Sequence, residues 1–192
     1  MESGVLGRTT VAIGLGAAAI LLATPDGARA QGVAKAAEVA SPTRGGFLVE
    51  EARKAELSEA MRAKARRLED EYRWGEAAPL YERAARLSSR EDPSSVEIFV
   101  DAGRSYYFSD RYHEASLMWE AAARRAELHG RVFGAAQNYL KSALAAEEDY
   151  DTERSSLNGL KALALSESPE LTDEQRAWLE GRLELRNVVV KR

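Results

Sequence analysis

Apolar residues fall along the chain in stripes with helical spacing. Phe99, Ala102, Gly103 and Tyr106 stand at i, i+3, i+4 and i+7, and Ala115, Trp119 and Ala122 stand at i, i+4 and i+7. Between the two stripes lies Ser109-Asp110-Arg111, which reads as a turn with Asp110 as the N-cap of the following helix. The unit is therefore a helix, a tight turn and an antiparallel helix. Gly103 and Ala115 sit where the two axes should approach closely, and Tyr106 and Trp119 are sized to fill the neighbouring space. The same pattern occurs 38 residues earlier as Met61, Ala65, Leu68, Trp74, Ala77, Tyr81 and Ala84, so one supersecondary unit is used at least twice. Val132, Ala136 and Tyr139, lying 33 residues beyond Phe99, Gly103 and Tyr106, open a third. Its second helix keeps only a stripe of Leu157, Leu160, Leu163 and Ala164 after the acidic turn at residues 147–151. Thr172-Asp173-Glu174-Gln175 is a capping-box signature and opens a last helix that carries Trp178, Leu179, Leu183 and Leu185. Pro79 conflicts locally with the pattern, because it falls within the second helix of the first unit unless that helix places it in the first turn.

Together these residues resemble the tetratricopeptide repeat family. Gly103, Tyr106, Tyr112, Ala115, Trp119 and Ala122 follow its pattern closely, and Trp74, Ala77, Tyr81 and Ala84 follow it less closely. The first unit exceeds the family's usual length of about 34 residues. Its extra residues fall in the loop Ser88-Ser89-Arg90-Glu91-Asp92-Pro93, where Asp92-Pro93 signals a helix start. The resemblance implies an all-α fold, a right-handed α-α superhelix of about three helical hairpins with a C-terminal capping helix. It also implies a concave surface, lined by the first helix of each hairpin, that takes an extended peptide or a partner's helix.

The N-terminal segment reads as a targeting signal. Arg8 precedes an apolar run at residues 11–23, and Ala28-Arg29-Ala30 supplies a small-x-small cleavage pattern before Gln31. That run is shorter than the ~20 residues a bilayer-spanning helix needs. The organisation expected is a signal peptide at 1–30, a flexible leader at 31–46, a helical domain at 47–187 and a tail at 188–192. The place of action is then an exported compartment, with the chain periplasmic, envelope-associated or secreted after cleavage near Ala30/Gln31. The 192 residues include no cysteine, so neither a disulfide nor a cysteine-linked lipid contributes, and stability must come from helix packing.

The formal net charge of −4 disfavours a nucleic-acid partner, which calls for a net basic face. Chemistry-bearing patterns are scarce. His113 and His129 have no second histidine at ligand spacing, and the acidic run at 147–151 lacks the glycine and ligand order of a calcium loop. Gly14-Leu15-Gly16 lies within the signal segment, and no serine stands in a nucleophile-elbow pattern. Neither a catalytic residue nor a cofactor or metal is expected, and Val188-Val189-Val190 reads as a frayed tail.

What remains is recognition by a surface. If the first helices of the units lie side by side, the stripe beside the buried one faces a groove. It carries Arg62, Arg66 and Glu69, then Val100, Arg104 and Tyr107, then Phe133, Gln137 and Leu140, each set at i, i+4, i+7. The groove would run from charged to apolar. Packing of Val100, Tyr107, Phe133 and Leu140 between repeats or under the last helix is an equal expectation. The function expected is a non-catalytic interaction scaffold. Two other readings stay open, a self-assembling envelope subunit and a small-ligand or carbohydrate-binding domain.

Overall fold

The computed structural model describes residues 44–184, with side chains from Phe47 onward. Among these residues the chain is all-helical, with seven α-helices and no strand. They are α1 (Arg44–Asp70), α2 (Trp74–Leu87), α3 (Ser95–Tyr107), α4 (Tyr112–Leu128), α5 (Val132–Glu148), α6 (Thr152–Ser166) and α7 (Asp173–Glu184). The expected signal peptide, its cleavage site and the Val188–Val190 tail lie outside the described residues. Helix α1 already contains Gly45 and Gly46, which the sequence assigns to the leader.

Each helix from α1 to α6 packs on the next in chain order, and α7 closes on α6 and α5. Consecutive helices run antiparallel, as cross-helix bonds show. Ser58 Oγ donates to the Ala84 carbonyl at 2.9 Å, and Trp119 Nε1 donates to the Val100 carbonyl at 3.3 Å. The close approach is made possible by alanine: Ala65, Ala77, Ala84, Ala102, Ala115, Ala122, Ala135 and Ala143 are all completely buried. Between them stand a few large side chains, Tyr81, Phe99, Tyr106 and Trp119, and burial of each such side chain contributes roughly 1.5–3 kcal/mol.

The hairpin turns share one construction. At Tyr72, Asp110, Gly130 and Tyr150 the backbone enters the left-handed region, with φ between 58° and 65°. The Tyr72 N–H bonds the Glu69 carbonyl and the Arg73 N–H bonds the Leu68 carbonyl, both at 2.8 Å. Equivalent pairs recur at Asp110/Arg111, Gly130/Arg131 and Tyr150/Asp151. This double closure satisfies the last carbonyls of one helix and aims the chain back along it. It also corrects the expected cap: Asp110 is the left-handed residue that ends α3, and Arg111 stands at the N-cap of α4 without a side-chain cap bond. A non-glycine residue in that conformation costs on the order of 1 kcal/mol, so Tyr72 and Tyr150 are held there by the turn and not by preference.

Two further differences concern single helices. Pro79 is the sixth residue of α2 and so interior; it offers no N–H to the carbonyl of Gly75, an exposed residue that water can reach. In α6 the expected stripe is kept only in part. Leu157, Leu160 and Ala164 are exposed and Leu163 is partly buried against the core that α7 shares, while Asn158, Gly159, Ala162 and Ser166 are buried. A polar network sets that face: Ser116 and Ser142 each donate to the other's carbonyl, at 3.0 and 2.8 Å, and Asn158 Nδ2 donates to Ser142 Oγ at 2.8 Å. The last helix agrees with its signature. Thr172 and Gln175 exchange the reciprocal bonds of a capping box at 3.1 and 3.2 Å.

Candidate interaction surface

The candidate residues on α1 and α3 come together through charge. Arg104 Nη2 bonds both oxygens of Glu69, at 2.9 and 3.2 Å, and pairs with Asp101 at 3.2 Å. Glu69 also accepts from Tyr81 Oη at 2.8 Å and from Ser105 Oγ at 3.2 Å. Four hydrogen bonds from two other helices thus converge on one carboxylate. Glu69 is therefore an internal anchor between α1, α2 and α3, with little surface left for a ligand. Burial, followed by the bond to Glu69, drives the Tyr81 phenol far above its usual range.

Two residues absent from the sequence-based set belong to the same face. Burial raises the Asp101 carboxyl against the opposing pull of Arg104, and both Arg62 and Arg66 act on it from α1. Lys141 on α5 is exposed as a residue, yet crowding by the protein and then the Arg104 charge lower its ammonium pKa. A register one position beyond Val100 and one beyond Leu140 would have found both. The face is wider than a single i, i+4, i+7 stripe.

Arg62 pairs with Glu59 at 3.1 Å, and its Nε is buried without a hydrogen-bond partner. Its guanidinium borders a cavity of about 370 Å³ at the start of α3, with Ser58, Ser89, Asp92 and Ser94 on the wall. Arg66 is half exposed and lies 3.9 Å from Glu59. Val100 and Tyr107 are partly buried against the core that Phe99, Tyr106 and Trp119 share, the Tyr107 ring lying tilted at 5.5 Å from that of Trp119. Gln137 is half-buried beside Phe133 and Glu170.

The far end is filled. Leu140 is buried in a second core with Leu179 and Leu183 of α7, and Phe133 meets Trp178 edge-on at 5.7 Å. The apolar end of the expected groove is thus packing under the last helix, because α7 needs a surface for its own leucines.

A second charged centre was not visible in the sequence. Glu120 on α4, only 9 % exposed in its side chain, pairs with Arg124, with Lys161 at 3.1 Å and with Arg154 at 3.2 Å. Against its own desolvation, the bonds from Arg124 and Lys161 hold its carboxyl below the usual range. It ties α4 to α6. Among the described residues no group of histidine, aspartate and glutamate is arranged to hold a metal, and no helix is long and apolar enough to cross a membrane. Comparison with family models, with curated proteins and with solved structures gives no match.

Proposed function

We propose that the protein is a non-catalytic interaction module, a tetratricopeptide-like right-handed superhelix of three hairpins and a capping helix that holds a partner's peptide or helix along the face of α1, α3 and α5. The site of action proposed is the exported compartment implied by the N-terminal segment. One observation carries the reading: Arg104 on α3 bonds Glu69 of α1 at 2.9 Å and holds Asp101 at 3.2 Å, while Lys141 on α5, within reach of the Arg104 charge, makes no ion pair of its own among the described residues. Charges held away from water without full pairing are costly, and a partner that completes the pairing offsets that cost. With Glu69 and Arg104 committed to each other, Lys141 and the loosely paired Arg66, 3.9 Å from an exposed Glu59, are the cations best able to meet a partner, whose chemistry would then be carboxylate-bearing.

The test is site-specific photo-crosslinking in envelope extract, with the reactive group placed at Arg66, at Lys141 and at the exposed Arg83 on α2. A partner captured at Arg66 and Lys141 but not at Arg83, and lost when the other cation of the pair is changed to glutamate, supports the reading. Equal capture at all three positions refutes it. Mass determination of the purified protein over a range of concentrations addresses the self-assembling alternative, which a monomer throughout would remove.

A further inference from the structure

A different surface carries a second, independent reading. Because consecutive helices are antiparallel, the turns α1–α2, α3–α4 and α5–α6 lie at one edge. The tips touch: Trp74 meets Phe108 at 4.9 Å, and His113 Nδ1 lies 3.2 Å from Asp149 Oδ2. Along this edge runs a row of rings. Phe108 meets Tyr107 at 6.2 Å, and Tyr107 meets Tyr112 at 5.2 Å. Tyr72 and Tyr150 stand at the ends of the row, 81 % and 91 % exposed, and Phe108 between them is 56 % exposed.

Packing does not account for the two terminal tyrosines. Each occupies a left-handed turn position that glycine adopts without strain, as Gly130 does in the equivalent turn, and each ring returns almost no buried surface to the fold. The charge along the row is net negative. Asp70, Asp110 and Glu148 are exposed, and Glu148 is close enough to act on both Tyr107 and Tyr112. The arginines at these tips are already engaged, Arg73 by Glu71 and Glu76 and Arg111 by Glu114. Exposed aromatic faces amid unopposed carboxylates attract cations, by the ring quadrupole and by net charge together.

We propose that this edge docks an extended arginine- or lysine-bearing segment of a partner protein, its cations seated on the exposed rings as its backbone runs from tip to tip. An exposed ring stands on each of the three tips, so the ligand is extended and not a single residue. Tyr107 borders both surfaces, but the exposed rings proposed to seat cations are those of the turns, which attract the charge opposite to that drawn by Arg66 and Lys141, so either site can stand without the other.

The test is fluorescence anisotropy of the full chain with a labelled peptide of alternating arginine and glycine, beside its glutamate–glycine counterpart. The wild type binds only the arginine peptide. Tyr72→Gly/Tyr150→Gly binds it about tenfold more weakly, although its thermal midpoint is equal or higher, which separates loss of the rings from loss of the fold. Tyr72→Phe/Tyr150→Phe keeps binding within about twofold, since the ring faces remain. The proposal is overturned if the glycine variant binds as the wild type does, or if the wild type ignores the peptide. Binding of a neutral oligosaccharide or of anionic phospholipid vesicles in place of the peptide overturns it as well.

Discussion

Replacing Gly103 with alanine adds one methyl group and should unsettle the second hairpin. A Cβ at this position would lie 2.6 Å from both Cδ1 and Nε1 of Trp119, and 2.9 Å from its Cε2. The indole has nowhere to go: it is buried, bonds the Val100 carbonyl through Nε1 and lies against the tilted ring of Tyr107. Overpacking of this kind costs about 1–3 kcal/mol, and loss of the indole bond adds about 1 kcal/mol. Alanine's better helix propensity returns about 1 kcal/mol, so the net expectation is a destabilisation of about 1–3 kcal/mol. Gly181 supplies the internal control, because it lies in α7 with nothing within 4 Å of its missing Cβ. There the same substitution should stabilise by up to about 1 kcal/mol. Denaturant melts followed by circular dichroism read both. Trp119→Leu replaces the rigid indole edge with a shorter side chain that can turn away, so a double-mutant cycle should show the Gly103→Ala penalty largely gone in that background. Wild-type or greater stability for Gly103→Ala alone would refute the account, as would an undiminished penalty when Trp119→Leu is also present.

Three other outcomes follow from single contacts. Glu120→Gln should cost about 1–3 kcal/mol in the same melts, since a buried carboxylate that answers Arg124, Arg154 and Lys161 becomes a neutral amide. The folded pKa of Glu120 is depressed, so its contribution is complete above the ordinary value of 4.5 and is lost as pH falls through the lower folded value. Stability measured as a function of pH should therefore fall less steeply below pH 4.5 for Glu120→Gln than for the wild type. Ser142→Ala should cost about 2 kcal/mol by leaving buried Asn158 Nδ2 without its acceptor and breaking the exchange with Ser116, whereas Asn158→Ala in the Ser142→Ala background should add little. Tyr106→Phe should cost about 1 kcal/mol, the bond its hydroxyl donates to Glu82, with the helical spectrum unchanged.

Periodicity made the helices legible, because each hairpin buries a stripe whose spacing repeats at a fixed offset. The same stripe logic failed wherever burial was decided by polar contacts between helices. Glu69 shares a helical face with Arg62 and Arg66 in one dimension, but Tyr81, Ser105 and Arg104 reach it from two other helices, and no local spacing encodes that convergence. In α6 the buried face is chosen by Asn158 reaching Ser142, so Leu157 and Leu160 of the apparent core stripe are turned outward while Leu163 keeps part of its burial. The turns were opaque for a related reason. Only Gly130 announces a left-handed residue; Tyr72, Asp110 and Tyr150 adopt the same conformation because two backbone bonds close each turn around them. Lys141 and Asp101 escaped because a face formed by neighbouring helices is broader than one stripe. Leu140 and Phe133 lie on that stripe but meet α7, an element whose docking place has no signature in their own spacing.

The fate of Glu69 bears on what the α1–α3–α5 face can recognise. A carboxylate open to the face would neutralise its cations and leave little preference of charge. Instead Glu69 is consumed by four internal bonds, two of which orient Arg104 and hold its guanidinium beside Asp101. The balance on the face then falls to Arg66 and Lys141, which lie on different helices with Arg104 between them in the chain. A ligand that neutralises both must be long enough to cross α3. Charge reversal at Arg66 and at Lys141 should therefore each weaken a long acidic segment, with the two losses multiplying in the double variant, whereas a segment too short to cross α3 should respond to only one of the reversals. A long segment whose dissociation constant ignores one of the two reversals would show that no continuous ligand spans the face.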